Sequence, residues 1–147
     1  MGLPQEIQTH LAGLSGKMME PVIDDLGGDP NNVIKITDGF KVKLAWYLNS
    51  YSLGGQWEIT VSLEGMGTRY EGDVVDKVVK PFTDIDAATS TPTHPHWVFE
   101  QNITSLPSLP GLTPGVYKVA VNILFKNMFG FYEPMAAFYE GPAISLY

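Results

Sequence analysis

Three long segments of this chain alternate apolar and polar side chains with a period of two, which constrains the fold more than any other feature. The segments run from residue 40 to 48, from 57 to 64 and from 117 to 126. Successive side chains of a β-strand point to opposite faces, so this period predicts strands with one buried face. The residues predicted to face inward are Phe40, Val42, Leu44, Trp46 and Leu48, then Trp57, Ile59, Val61 and Leu63, then Tyr117, Val119, Val121, Ile123 and Phe125. Leu124 is the one misfit among the outward positions.

Turn residues and weaker strand patterns complete the predicted fold. The Gly54-Gly55 pair between the first two segments predicts that they are antiparallel neighbours. Further strands are expected at 33–37, 69–79, 97–103 and 135–147, where Pro142 requires an edge position or a bulge. About seven strands separated by glycine and proline predict an all-β fold, an antiparallel β-sandwich formed by residues 32–147.

Residues 1–31 are predicted to be an N-terminal extension that contains a short amphipathic helix. Leu3, Ile7, Leu11, Leu14 and Met18 recur at spacings of three and four residues, the period of one helix face. Glycines at 13 and 16 each weaken a helix by about 1 kcal/mol relative to alanine, so the helix should be short. The sequence Gly-Gly-Asp-Pro at 27–30 predicts a break before the sandwich.

The segment Leu-Thr-Pro-Gly-Val-Tyr-Lys-Val-Ala-Val at 112–121 resembles the start of strand F in immunoglobulin-like and fibronectin-III-like domains. This resemblance implies an immunoglobulin-like sandwich in which the hydroxyl of Tyr117 bonds back to the upstream backbone. It also places Trp46 as a core aromatic residue. The chain has no cysteine, so an antibody-type disulfide framework is not implied. Such sandwiches have many different functions, and the resemblance therefore carries none across.

Charge and hydropathy exclude several classes of partner. Nine basic and sixteen acidic residues give a net charge of −7, which repels nucleic acids and anionic membranes. No apolar stretch approaches the roughly 20 residues needed to span a bilayer. The chain has no cysteine and does not begin with a secretory signal pattern, so we expect a cytoplasmic location.

The sequence contains no recognised catalytic motif. The serine-hydrolase elbow, the phosphate-binding glycine loop and the helical zinc-protease motif do not occur in it. We therefore expect no enzymatic activity and no cofactor, with an enzyme of unrecognised type as an alternative. His94 and His96 could direct two imidazoles at one metal ion, but two ligands do not make a site, and a solvated turn is the favoured interpretation.

Residues 125–139 are the most unusual segment, with six aromatic side chains among fifteen residues: Phe125, Phe129, Phe131, Tyr132, Phe138 and Tyr139. A strand pair can bury only alternate side chains, so some of these rings should stay exposed unless another element covers them. We predict a self-associating structural or protein-interaction module. Its contact residues would be Phe129, Phe131, Tyr132, Met135 and Tyr139, together with Ile7, Leu11 and Leu14 of the N-terminal stripe.

A ligand-binding module is the alternative from another functional class. Tyr70, His96, Trp97 and Glu100, with the loop 81–96, would stack on a sugar or enclose a small apolar molecule. An exposed tryptophan ring beside carboxylate and imidazole groups is suited to that role.

Overall fold

The computed structural model describes residues 4–9, 13–28, 32–51, 54–67 and 69–147, without the side chains at 133 and 134. Eleven β-strands and one short 3-10 helix, Leu106–Ser108, lie in these ranges, and no α-helix does. The strands are β1 (Gln5–Glu6), β2 (Gln8–Thr9), β3 (Gly16–Met18), β4 (Val22–Asp25), β5 (Val33–Ile34), β6 (Phe40–Leu48), β7 (Gly55–Met66), β8 (Glu71–Pro81), β9 (His96–Ile103), β10 (Gly115–Asn127) and β11 (Tyr132–Leu146).

The strands form two sheets packed face to face, which confirms the predicted all-β sandwich. In the first sheet β6 is central, with β9 on one side, β3 and β4 on the other, and β1 beyond β3. The second sheet has the order β8-β7-β10-β11, and β2 and β5 pair with the far side of β11. All pairs are antiparallel except β5 with β11. The finer assignment to immunoglobulin-like or fibronectin-III-like domains stays a prediction.

The three alternating segments are β6, β7 and β10, and every residue predicted to face inward is buried. The predicted antiparallel pairing of the first two segments is wrong, because β6 and β7 lie in different sheets. The Trp46 and Trp57 rings instead meet edge to face across the sandwich, with centroids 5.8 Å apart. Alternation fixes which side chains are buried, but it does not select the partner strand.

The predicted N-terminal helix is wrong, since β1 to β4 occupy much of the segment. Ile7 and Met18, two residues of the predicted apolar helix face, are buried, but they reach the core from extended backbone. Gly16 belongs to β3 and not to a helix. A glycine is required at this position because a Cβ would collide with the Tyr47 carbonyl oxygen of the neighbouring strand β6. Leu3 and Leu11 lie outside the described residues. Each sheet contains strands that precede residue 32 and strands that follow it. The domain boundary at residue 32 stays a prediction.

Two local predictions about the C-terminal strands are confirmed. The β10–β11 register passes from Lys118–Ala143 to Ala120–Glu140, so Pro142 lies in a bulge of β11. The Tyr117 hydroxyl donates a 2.6 Å hydrogen bond to the carbonyl oxygen of Thr113, upstream in the chain. This bond fixes the loop that leads into β10.

Candidate functional site

The turn between β10 and β11 is held in one conformation by Asn127. Its side-chain oxygen accepts hydrogen bonds from the backbone N–H groups of Phe129 (3.0 Å) and Phe131 (3.1 Å). The backbone N–H of Asn127 donates to the Phe131 carbonyl (2.8 Å), and Gly130 donates back to the Asn127 carbonyl (3.0 Å). Gly130 has a φ of +83°, which glycine adopts without strain. The turn is therefore an ordered support for the side chains it carries.

Four large side chains project from this turn into solvent. Met128, Phe129, Phe131 and Tyr132 are 69%, 78%, 70% and 54% exposed, and together they are called the aromatic knob here. Scattered exposed apolar residues are ordinary, but a contiguous cluster of large ones marks an interaction site in soluble proteins. The aromatic knob is therefore the leading candidate for the functional site.

Tyr132 is fixed at the base of the aromatic knob by a buried carboxylate. Its hydroxyl donates a 2.9 Å hydrogen bond to Oε1 of Glu58, the one buried charged side chain among the residues described. Lys126 Nζ lies 3.9 Å from the other Glu58 oxygen and 5.2 Å from the centroid of the Tyr132 ring. The hydrogen bond to Glu58 raises the pKa of Tyr132 above its ordinary value, and desolvation adds to this shift. Tyr132 thus stays neutral and held in place at physiological pH.

The apolar surface continues from the knob onto the outer face of the second sheet. The strand register places Val79, Glu58, Leu124 and Ala136 in one row across β8, β7, β10 and β11. Phe138 is the next outward residue of β11 and is exposed, as are Val79 and Leu124. Leu124, the misfit of the sequence pattern, thus contributes to the apolar outer face.

Two of the predicted contact residues on β11 cannot contribute to this surface. Met135 and Tyr139 are buried, because the odd-numbered residues of this part of β11 face the core. Their assignment to the contact surface is wrong. Phe129 and Phe131 are exposed as the sequence indicated, because a turn escapes the alternation that buries every second residue of a strand. Met128 is also exposed, and its position directly before Phe129 in the same turn could have identified it as a contact residue.

The N-terminal stripe does not form a second contact surface within the part of the chain that is described. Ile7 is buried in the core, so its predicted contact role is wrong, and Leu14 is half-buried against the core. Leu11 lies outside the described residues. The apolar side chains of this segment that can be placed pack onto their own sandwich.

The four residues of the predicted ligand site are not brought together. Trp97 is fully buried, stacks on Trp46 at 6.3 Å, and donates from Nε1 to the Phe82 carbonyl (3.0 Å). Its predicted role as an exposed platform is wrong, because Trp97 occupies an inward position of β9. His96 and Glu100 lie on the outer face of the first sheet, and Tyr70 lies at one end of the second.

Both histidines of the 94–96 segment lie beside Tyr47. The His96 ring stacks on the Tyr47 ring with centroids 4.8 Å apart, and the His94 ring is 6.3 Å from it. Nδ1 of His94 also shares a 2.7 Å hydrogen bond with the Thr93 hydroxyl. In the described ranges, no three His, Asp or Glu side chains are grouped closely enough to hold a metal ion. The pair acts here as a packing partner of Tyr47.

A polar row crosses the outer face of the first sheet at this point. The strand register aligns Glu6 of β1, Lys17 of β3, Tyr47 of β6 and His96 of β9. A cleft of about 430 Å³ opens beside it, lined by residues that include Glu6, Gln8, Lys17, Tyr47, Asn49 and His94. His96, which stacks on the Tyr47 ring, is not part of the cleft lining, whereas Tyr47 itself is. Tyr47 was not predicted as a site residue, although its outward position in β6 was.

Asn49 fixes one wall of this cleft. Its Oδ1 accepts a hydrogen bond from the Ser15 N–H (2.9 Å), and its Nδ2 donates to the Gly13 carbonyl (3.0 Å). Because both ends of the amide are used, Asn49 is a structural residue. Glu6, Gln8 and Lys17 also line the cleft, and their side chains make no hydrogen bond or ion pair with the part of the chain that the structure describes.

Comparisons with known proteins found similarity to the solved structures of two pilin subunits. No family model matches the chain, and no curated protein matches it. The major pilin subunit of Bacillus cereus is 12% identical with a TM-score of 0.32; the alignment covers 88% of this chain but only 41% of that one. A pilin subunit of enterotoxigenic Escherichia coli is 12% identical with a TM-score of 0.31, over 86% of this chain and 95% of that one. With these TM-scores, neither likeness supports an inference about function.

No helix in the described ranges is long and apolar enough to cross a bilayer.

Proposed function

We propose that this protein is a non-catalytic structural module that associates with further copies of itself through the aromatic knob. The observation that carries the proposal is the exposure of Met128, Phe129, Phe131 and Tyr132 on an ordered turn. Phenylalanine, tyrosine and methionine are enriched in protein–protein interfaces, and a few buried aromatic anchors commonly supply most of the binding energy.

Preorganisation supports this proposal. The Asn127 hydrogen bonds hold the turn, and the Glu58 hydrogen bond holds the Tyr132 ring. A surface that is already ordered loses less conformational entropy when a partner covers it. Burial of the exposed parts of the two phenylalanine rings would contribute roughly 2–4 kcal/mol before association costs, since fully burying one such side chain contributes about 1.5–3 kcal/mol. Since association itself costs several kcal/mol, this contact supports reversible assembly of modest affinity.

The charge distribution favours a second copy as the occupant. Lys126 lies beside Glu58, and Tyr132 is neutral, so the described side chains of the knob present no unpaired charge. The chain as a whole carries −7, and contacts between most other surfaces of two copies would bring like charges together. Contact between two copies at the aromatic knob avoids this electrostatic repulsion.

Replacing both Phe129 and Phe131 by serine is expected to abolish self-association without unfolding the protein. Both side chains are mostly exposed, so the core is unchanged and the melting temperature should shift little. Sedimentation velocity over a concentration series measures the association. The matched control is Val22→Ser with Val98→Ser, which removes exposed apolar side chains from the other sheet. A wild-type protein that stays monomeric at millimolar concentration would refute the self-association.

Saccharide binding in the cleft beside Tyr47 is the second candidate function. The Tyr47 ring, bordered by the carboxylate of Glu6, the amide of Gln8 and the ammonium of Lys17, matches a sugar, which offers C–H groups on one face and hydroxyls around its rim. The cleft volume of about 430 Å³ lies within the usual range for small-ligand sites. A lining this rich in polar groups disfavours an apolar ligand.

Replacing Tyr47 by alanine is expected to remove any saccharide binding, because Tyr47 and His94 are the aromatic rings among the described residues that line the cleft, and Tyr47 is the larger platform. Saturation-transfer NMR with methyl glycosides of glucose, galactose, mannose, N-acetylglucosamine and glucuronic acid measures the contact. Lys17→Gln, which keeps the platform, should weaken an acidic sugar more than a neutral one. If wild type shows no transfer from any of the five glycosides, the saccharide hypothesis is rejected.

A further inference from the structure

The end of the sandwich opposite the knob carries an open depression of about 640 Å³. Its lining includes Arg69, Tyr70, Glu71, Pro110, Gly111 and Thr113, from the β7–β8 turn and the loop before β10. It is called the distal depression here. Tyr70 was predicted as a ligand-contact residue, and it is the only one of those four that lines this depression.

The distal depression and the aromatic knob of one chain cannot meet. β10 contains 13 residues and runs from beside the depression at Gly115 to the turn at Asn127. At about 3.3 Å per residue, the strand separates them by roughly 40 Å. Any contact between these two features must therefore join different copies of the chain.

The chemistry of the depression suits aromatic side chains. Arg69 is the single arginine of the sequence, and its guanidinium makes no ion pair or hydrogen bond with any residue the structure describes. A guanidinium stacks on aromatic faces by cation–π attraction, and arginine and tyrosine are frequent in binding hot spots. Tyr70 and Pro110 add apolar surface beside it. The aromatic knob offers the complementary groups, two phenylalanine rings without a charge of their own.

The depression is preformed by contacts with the core. The Tyr70 ring packs edge to face on the buried Tyr117 ring at 6.0 Å, and the Tyr70 carbonyl accepts a 2.8 Å hydrogen bond from Gly65. Burial raises the pKa of Tyr70 above its ordinary value. On the other wall, the Tyr117 hydroxyl holds Thr113. One buried tyrosine therefore positions both walls.

We infer that the aromatic knob of one copy inserts into the distal depression of the next, so that the protein assembles head to tail. This inference rests on the proposed self-association and specifies its partner surface. Such a contact joins two different surfaces, and therefore each copy keeps one free knob and one free depression. Assembly continues into an open chain unless the geometry closes a ring. The contact area is smaller than that of a standard interface, so chain length should depend on concentration.

A complementation experiment tests this inference. The knob-deficient variant is Phe129→Ser with Phe131→Ser, and the depression-deficient variant is Arg69→Glu, which places a carboxylate against the negative faces of the incoming rings. Each variant alone is expected to be monomeric, with association weakened at least about 30-fold. Their mixture is expected to form a 1:1 heterodimer and nothing larger, because only one intact knob–depression pair exists per dimer. Sedimentation velocity and native mass spectrometry measure both states.

Two further variants separate stacking from charge and folding effects. Arg69→Lys keeps the charge but loses the planar guanidinium, so it should weaken association less than Arg69→Glu does. Asp76→Asn removes an exposed charge of β8 outside the depression and leaves the guanidinium in place, so it should associate like wild type. Melting temperatures close to wild type for all variants show that the fold is retained, since all the replaced side chains are exposed.

The outcomes distinguish this inference from the proposed function. If Arg69→Glu associates as wild type does while the knob-deficient variant is monomeric, the knob pairs with another knob and the head-to-tail contact is refuted. If each variant is monomeric but the mixture forms no heterodimer, the contact is likewise refuted. If wild type itself never associates, the proposed function has failed and the inference fails with it.

Discussion

Replacing Trp57 by alanine is expected to lower the free energy of unfolding by about 3–5 kcal/mol, as typical buried tryptophan truncations do. The fully buried Trp57 ring lies 5.8 Å from Trp46, 5.2 Å from Trp97 and 5.2 Å from Phe125. It therefore joins aromatic side chains from both sheets, and its removal leaves a cavity between them. Since the free energy of unfolding of a small domain is only about 5–15 kcal/mol, this one substitution should remove much of the stability. Chemical denaturation followed by fluorescence measures it.

Comparison with phenylalanine replacements tests the structural reason for that loss. Trp97 donates its indole N–H to the Phe82 carbonyl, whereas the indole N–H of Trp57 has no acceptor among the residues described. Trp97→Phe leaves a buried carbonyl unpaired, which costs about 1–3 kcal/mol beyond the lost volume. Trp57→Phe removes an unpaired donor, so it should cost less than Trp97→Phe. The reverse order would contradict the hydrogen-bond assignment in this core.

A chain that begins at residue 32 is expected to lose cooperative folding. Deletion removes β3 and β4, which pair with β6, and it uncovers the core by removing Ile7, Met18 and Ile23. Three buried aliphatic side chains contribute roughly 5–9 kcal/mol, which is comparable to the whole stability of a small domain. Circular dichroism during thermal denaturation measures the transition.

A shorter deletion provides the control. Removing residues 1–4 keeps every strand described, so the melting temperature should stay close to that of the full chain. If the chain from residue 32 unfolds cooperatively at the full-length melting temperature, the N-terminal strands are dispensable. The predicted boundary between an extension and an independent sandwich would then be correct.

Much of the candidate contact surface could be inferred from the sequence, but which residues bound it could not. The density of aromatic residues between 125 and 139 exceeds what alternate burial can hide, so exposed rings were predictable. Met135 and Tyr139 were assigned wrongly because one residue of register decides which face of a strand a side chain takes. Trp97 was assigned wrongly because the strand 97–103 has no clear alternation, so a tryptophan at its first position carries no signal that separates core from surface. The distal depression was not predictable at all, since Arg69 and Pro110 are far apart in the sequence.

The sequence by itself determined the class of fold and the inward residues of β6, β7 and β10, because side-chain alternation is a local property of extended backbone. It also determined the Tyr117 hydrogen bond, whose partners are four residues apart. Only the tertiary structure decided that β6 and β7 lie in different sheets, that the N-terminal segment contributes β1 to β4, and that the knob and the depression occupy opposite ends. Each of these depends on which distant strands pair. Strand pairing is selected by the packing of the whole core, since the backbone hydrogen bonds of one strand fit many partners equally well.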